Sequence, residues 1–216
     1  MASVHAERRE FVHEIATVTP FSEAAAALAV IVLAILGLVD VVPAAMLGIA
    51  TIVVGAALLL QGTKMAAEYS ELLAEAGSAD SLPTVGGGIT LEFLAGGVGI
   101  VLGILSLFSH TAALAPAALI VFGGTLLLGG GVAARIGVPA EATAATGAVA
   151  TIVRQSVAVA AGAQALIGIA AIVLGILSFA ATPGDVLNLV GLLAVGAGLL
   201  MMGATSAGAA VGRTAR

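Results

Sequence analysis

Apolar residues in this chain run on for a dozen or more positions at a stretch, without the alternation of a half-buried strand or the one-sided stripe of a surface helix. The runs also repeat. The string IVLAILG at 31–37 returns as IVLGILS at 100–106 and again as IVLGILS at 172–178, at spacings of 69 and 72 residues. Each copy is followed by a second apolar stretch, bounded by Gly55 and Gly62, Gly123 and Gly130, and Gly196 and Gly203. The repeating unit is a pair of segments. Six segments result, over 22–39, 43–62, 90–109, 114–134, 157–180 and 185–204, each near the ~20 residues an α-helix needs to cross ~30 Å of hydrocarbon. Links within a pair are a few residues long and marked by Pro43, Pro116 and Pro183, which makes paired helices antiparallel neighbours. The pattern predicts an all-α membrane protein with six transmembrane helices, arranged as three tandem helical hairpins with a pseudo-threefold repeat.

Composition agrees with the pattern. The chain is 61% hydrophobic and 9% charged with a mean hydropathy of +1.22, and only a bilayer offers a solvent for that much continuous apolar surface. The net charge is -5 and the basic residues are scattered, so the clustered cations of a nucleic-acid-binding surface are missing. Without cysteine there is no disulfide framework, thiolate nucleophile or thiolate metal site.

The basic residues orient the chain. Arg8 and Arg9 precede the first segment, Lys64 follows the second, Arg135 and Arg154 lie between the fourth and fifth, and Arg213 and Arg216 close the chain. All fall on one side, which the positive-inside rule makes cytoplasmic, with both termini inside. The domain reading is a cytoplasmic N-terminal segment 1–19, hairpin 20–62, an acidic cytoplasmic linker 63–88, hairpin 89–135, a cytoplasmic linker 136–156, hairpin 157–205 and a cytoplasmic tail 206–216. Segment 1–19 is too long and too acidic for the n-region of a secretory signal and is expected to be retained. The linker charges Glu68, Glu71, Glu75 and Asp80 fit a solvated helical extension.

Small residues recur in register. Ala34 and Gly37, Gly103 and Ser106, and Gly175 and Ser178 sit three apart in the first helices. Gly55 and Gly62, Gly123 and Gly130, and Gly196 and Gly203 sit seven apart in the second helices. Each spacing places both members on one helical face, where small side chains let backbones approach closely in lipid. Seams within and between hairpins are expected there, together with self-association into a homo-oligomer or with another membrane protein. Three units in one orientation also differ from the inverted repeats on which many secondary transporters are built.

Taken together, the IVLGILS-like first helix, the proline-bearing tip and the second helix closing on glycine resemble the HdeD-type acid-resistance membrane proteins over about 22–203. That resemblance implies a six-span protein of the bacterial inner membrane tied to survival under acid stress. It supplies no catalytic residue.

Eight positions before each IVLxIL motif the repeat carries a polar group: Glu23, Glu92 and Gln164. At one depth in a pseudo-threefold bundle they would form a polar ring, and ionisable groups within spans are candidates for ion or proton paths. Glu23 and Glu92 also lie near helix starts, where the helix dipole favours a carboxylate at the membrane interface. Gln164 is flanked by apolar residues on both sides, and a hydrogen bond across helices would satisfy it.

His110, at an outer tip, is a candidate pH sensor because imidazole titrates near neutrality. His5 and His13 lie on the other side of the membrane, within a mixed-charge segment that reads as solvated. No metal site and no cofactor is implied. The chain lacks H-E-x-x-H and a phosphate loop, and its glycine runs lack a strand-then-helix setting. Two functional readings follow: a non-enzymatic inner-membrane protein with a structural or stress-protective role, or a small ion or proton channel in which the first helices surround Glu23, Glu92 and Gln164.

Overall fold

The computed structural model describes residues 22–76, 83–109, 111, 113–136, 148–181 and 184–214. The expectations for segment 1–19, for His5, His13 and His110, and for the middle of both linkers lie outside the described residues. Among the described residues there are six helices: α1 (Ser22–Leu38), α2 (Pro43–Ala76), α3 (Pro83–Phe108), α4 (Leu114–Ile136), α5 (Ala148–Ala180) and α6 (Asp185–Thr214). Among the described residues there is no strand.

Helix ends differ from the apolar segments in an instructive way. α2 continues past its apolar part to Ala76, α3 begins at Pro83, α5 begins at Ala148 and α6 runs on to Thr214. Apolarity marks what lipid can hold, whereas the alanine-rich extensions of α2, α5 and α6 go on being helical in water; α3 opens instead on Pro83, whose fixed φ suits a first helical turn. Four stretches are long and apolar enough to cross a bilayer, namely Pro43–Thr63, Leu91–Phe108, Gly162–Ala180 and Asp185–Gly203. Ser22–Leu38 and Leu114–Gly129 are shorter apolar helices.

α1 ends in a left-handed cap. The amide of Val41 donates to Leu36 O at 3.0 Å and that of Asp40 to Gly37 O at 3.2 Å, the paired bonds of a Schellman motif with Asp40 at φ 68°. Val42 follows at φ 43°, a costly conformation for a β-branched residue, and Pro43 then opens α2 with its φ already set for a helix.

The second helix of each pair forms the centre. α2, α4 and α6 touch one another, and their side chains supply most of the buried core, including Val54, Leu58, Leu119, Phe122, Leu126, Leu192, Val195 and Leu199. Counted from Gly55, Gly123 and Gly196, these side chains fall at matching positions: Val54, Phe122 and Val195 one before, Leu58, Leu126 and Leu199 three after. The first helices lie outside. α3 and α5 do not touch each other among the described residues, and the rows Val32, Val101, Val173 and Ile35, Ile104, Ile176 are exposed on the outer surface. In lipid such a surface is solvated, not aggregation-prone.

This placement corrects the expectation that the first helices surround an axial constriction. Among the described residues the centre of the bundle belongs to the second helices, and it is filled by leucine, valine and Phe122.

The closest backbone approaches also fall in a definite place. A Cβ on Gly55 would meet Gly96 O and Ile100 N at 2.7 Å, and one on Gly123 would meet Gly168 O at 2.6 Å and Ile172 N at 2.9 Å. Gly196 lies against Val30 and Ile31, Gly203 against Ala24, and Gly37 against Leu189. The backbone contacts join α2 to α3 and α4 to α5, with a Cβ on Gly203 at 3.2 Å from Ala24 N joining α6 to α1, so the closest backbone approaches lie between pairs, while within the α3–α4 pair Gly99 lies against the Phe122 ring. Ala34, Gly37, Gly55, Gly62, Gly103, Gly123, Gly175, Ser178, Gly196 and Gly203 are all buried in the chain's own bundle, and Ser106 is partly so. The surroundings of Gly130 lie outside the described residues. These faces are therefore packed inside the chain's own bundle.

Candidate functional site

Polar groups inside the bundle gather in two places. Near the turn between α5 and α6, the Ser178 hydroxyl lies 2.9 Å from Gly175 O and 3.0 Å from Asn188 Oδ1, with Ser178 and Asn188 both buried. One hydroxyl proton cannot serve two acceptors well. With the Asn188 amide turned over, its Nδ2 donates to Oγ and Oγ donates to Gly175 O, which satisfies both side chains. Elsewhere in the core, Thr51 and Thr125 donate to the carbonyls of Leu47 and Val121, the local bond by which a helix absorbs a hydroxyl.

The second place is at the other end. Glu23, Glu92 and Gln164 are 4%, 3% and 8% exposed, each reaching inward from a first helix. The structure brings them together. Glu23 is close enough to Glu92 to act on it electrostatically. A Cβ on the buried Gly129 of α4 would lie 3.4 Å from Glu92 Oε1 and 3.8 Å from Gln164 Nε2, and would meet nothing nearer. Glu92 and Gln164 thus face each other across the place where α4 has no side chain. Glu92 Oε2 is buried with no hydrogen-bond partner.

Sequence reasoning missed three members of this layer. Gln61, Gly129 and Met202 each stand just before the closing glycine of a second helix, six residues after Gly55, Gly123 and Gly196. Gln61 is buried, and its Nε2 donates to Met202 Sδ at 3.5 Å, a weak acceptor for an amide. The signal was the shared position, but one amide, one glycine and one thioether have no common chemistry to reveal it.

Directly above the layer come Leu58, Leu126 and Leu199, then Val54, Phe122 and Val195, so the polar groups end against a filled apolar core. Among the described residues no three or more histidine, cysteine, aspartate or glutamate side chains form a metal cluster.

Four of these helices are long and apolar enough to cross a bilayer, which is consistent with an α-helical integral membrane protein, and buried polar side chains gather at one end of the core. No family model matches the chain, and neither the curated proteins nor the solved structures give a match.

Proposed function

We propose that the chain is a non-enzymatic protein of the bacterial inner membrane, with three tandem hairpins about a pseudo-threefold axis, both termini cytoplasmic, and a structural or stress-protective role of the HdeD kind. The repeat reading is supported by matching motif positions in the core and in the seams of α2 with α3, α4 with α5 and α6 with α1. On this reading α1 and α4 also cross the bilayer, the bundle's packing compensating for their shorter apolar stretches. The observation that carries the functional reading is the filled centre: a chain whose axis is closed by Phe122, Leu58, Leu126 and Leu199 is built to persist in the membrane, not to conduct along its axis.

Two measurements test it. In liposomes the full chain gives no proton or monovalent-cation flux above protein-free vesicles; clear flux replaces this reading with that of a channel or transporter. Because the chain has no cysteine, single-cysteine variants report sidedness cleanly. Ser109→Cys is labelled by a membrane-impermeant maleimide from the periplasmic side and Thr63→Cys only after permeabilisation. Labelling of both from one side would overturn the topology.

A further inference from the structure

One helix, α1, is seated less closely than its counterparts and is held by a turn that its own sequence opposes. In the α2–α3 seam Gly55 faces Gly96, and in the α4–α5 seam Gly123 faces Gly168; a Cβ on any of the four would fall 2.6 or 2.7 Å from a backbone oxygen of the facing helix. In the α6–α1 seam the matching residues are Gly196 and Ala27, which stands four before IVLAILG as Gly96 and Gly168 stand four before IVLGILS. Ala34 likewise takes the place of Gly103 and Gly175. So α1 carries a methyl where α3 and α5 carry a hydrogen. A Cβ on Gly196 would come no nearer than 3.0 Å, and then to the Val30 side chain, not to backbone. At this level the α6–α1 seam is the widest of the three.

The turn behind α1 is an independent observation about the same helix. Among the described residues, the non-glycine residues at positive φ are Asp40 at 68° and Val42 at 43°, both between α1 and α2. Val42 is β-branched and precedes Pro43, whose ring pushes the residue before it toward extended backbone. With Val39 and Val41 beside it, the run 39–42 favours the extended form that the closed turn denies it. Short hinges under strain invite exchange of an element between copies. Extended, the five Cα steps from Leu38 to Pro43 reach about 17 Å, roughly two helix spacings.

Resting on the reading that α1 crosses the bilayer, we propose that α1 is exchanged between two copies of this chain: the turn 39–42 straightens, and each α1 packs along α6 of the partner subunit. Copies in one membrane share an orientation, so the exchanged helix meets its seam in the native direction and neither of its ends has to cross the hydrocarbon. The two-fold axis stands along the membrane normal. Every seam contact is kept, while the left-handed conformations of Asp40 and Val42 are released in both copies. Because Glu23 is carried on α1, each polar layer of the exchanged dimer joins Glu92 and Gln164 of one copy to Glu23 of the partner subunit.

The chain has no cysteine, so introduced cysteines report this seam alone. A Cβ on Gly203 would lie 3.6 Å from the Cβ of Ala24, within the range that a disulfide bridges. Two full-length copies with different tags, one Ala24→Cys and the other Gly203→Cys, are expressed in the same membrane and oxidised. The expected result is a mixed disulfide dimer well above the dimer that either variant forms with itself. Val42→Gly, which relieves the closed turn, lowers the mixed dimer about tenfold.

A mixed dimer no more abundant than the single-variant controls overturns the proposal. So does one that Val42→Gly leaves unchanged, which would mean collision between closed copies. If Gly203→Cys fails to fold, native mass spectrometry of the cysteine-free chain decides: dimers are expected, giving way to monomers with Val42→Gly, and monomers throughout or dimers indifferent to Val42→Gly overturn it. Sidedness labelling tests the topology separately. Labels on the expected sides without a mixed dimer remove the exchange alone; a hinge-dependent mixed dimer with both labels on one side keeps the exchange and removes the topology.

Discussion

At the α5–α6 turn, Ser178 and Asn188 meet at 3.0 Å, and both find partners in each other and in Gly175 O. Fourteen residues earlier on α5, about 21 Å away at the helical rise, Gln164 belongs to a layer in which a buried carboxylate oxygen has no partner. Both places are polar, buried and formed by side chains from different helices. The first is closed, and removing a partner can only harm it. The second is open, since Glu92 Oε2 is buried with no hydrogen-bond partner. Buried polarity therefore reports function only when its accounts are left unsettled by the protein itself.

The comparison breaks most directly at Glu92. Glu92→Leu is expected to raise unfolding stability by about 1–3 kcal/mol, the order of the cost of a buried polar group left without a hydrogen-bond partner. Chemical denaturation in mixed micelles measures it, and a loss of stability would mean that the carboxylate is already compensated. Gly55→Ala should cost about 1–3 kcal/mol, because its methyl would fall on backbone at 2.7 Å, whereas Gly129→Ala meets nothing nearer than 3.4 Å and should cost less than half as much. Equal costs at the two glycines would remove the evidence for space in the layer.

At the closed end, Asn188→Ala should destabilise by about 0.5–2 kcal/mol, the range of interhelical hydrogen bonds in membranes. A double-mutant cycle with Ser178→Ala checks it, with additive losses counting against a Ser178–Asn188 bond. Smallest is the turn: Asp40→Gly removes a left-handed side chain and should add up to about 1 kcal/mol, read from the same denaturation curves. A decrease there would mean that the Asp40 side chain makes a contact worth more than its backbone strain.

Much of this was legible in the sequence. The six apolar segments, the register of the small residues and the polar position eight before IVLxIL could all be counted. Glu23, Glu92 and Gln164 stood out because each interrupts an apolar run at one shared place. The layout of the bundle was not legible, for a physical reason. In water a helix shows its buried face by being apolar on one side only; in lipid the face toward Val32 or Ile104 is as apolar as the face toward Leu58 or Phe122, and periodicity carries no inside and outside. That is why the first helices were expected at the axis. The Gln61, Gly129 and Met202 position was hidden differently, because what unites it is geometry and not residue type.

One consequence concerns the order in which the molecule is made. Short turns join α1 to α2 and α5 to α6, yet the closest backbone contacts join α2 to α3, α4 to α5 and α6 to α1. On the three-hairpin reading proposed above, each newly inserted pair leaves one surface waiting for the next pair to emerge, and the surface of α1 around Ala24 and Val30 waits longest, until Gly196 and Gly203 have been synthesised. The ribosome must deliver the whole chain before the ring can shut. A nascent chain stalled after α4 would sit in the membrane with two unclosed flanks, the form in which a quality-control protease would meet it.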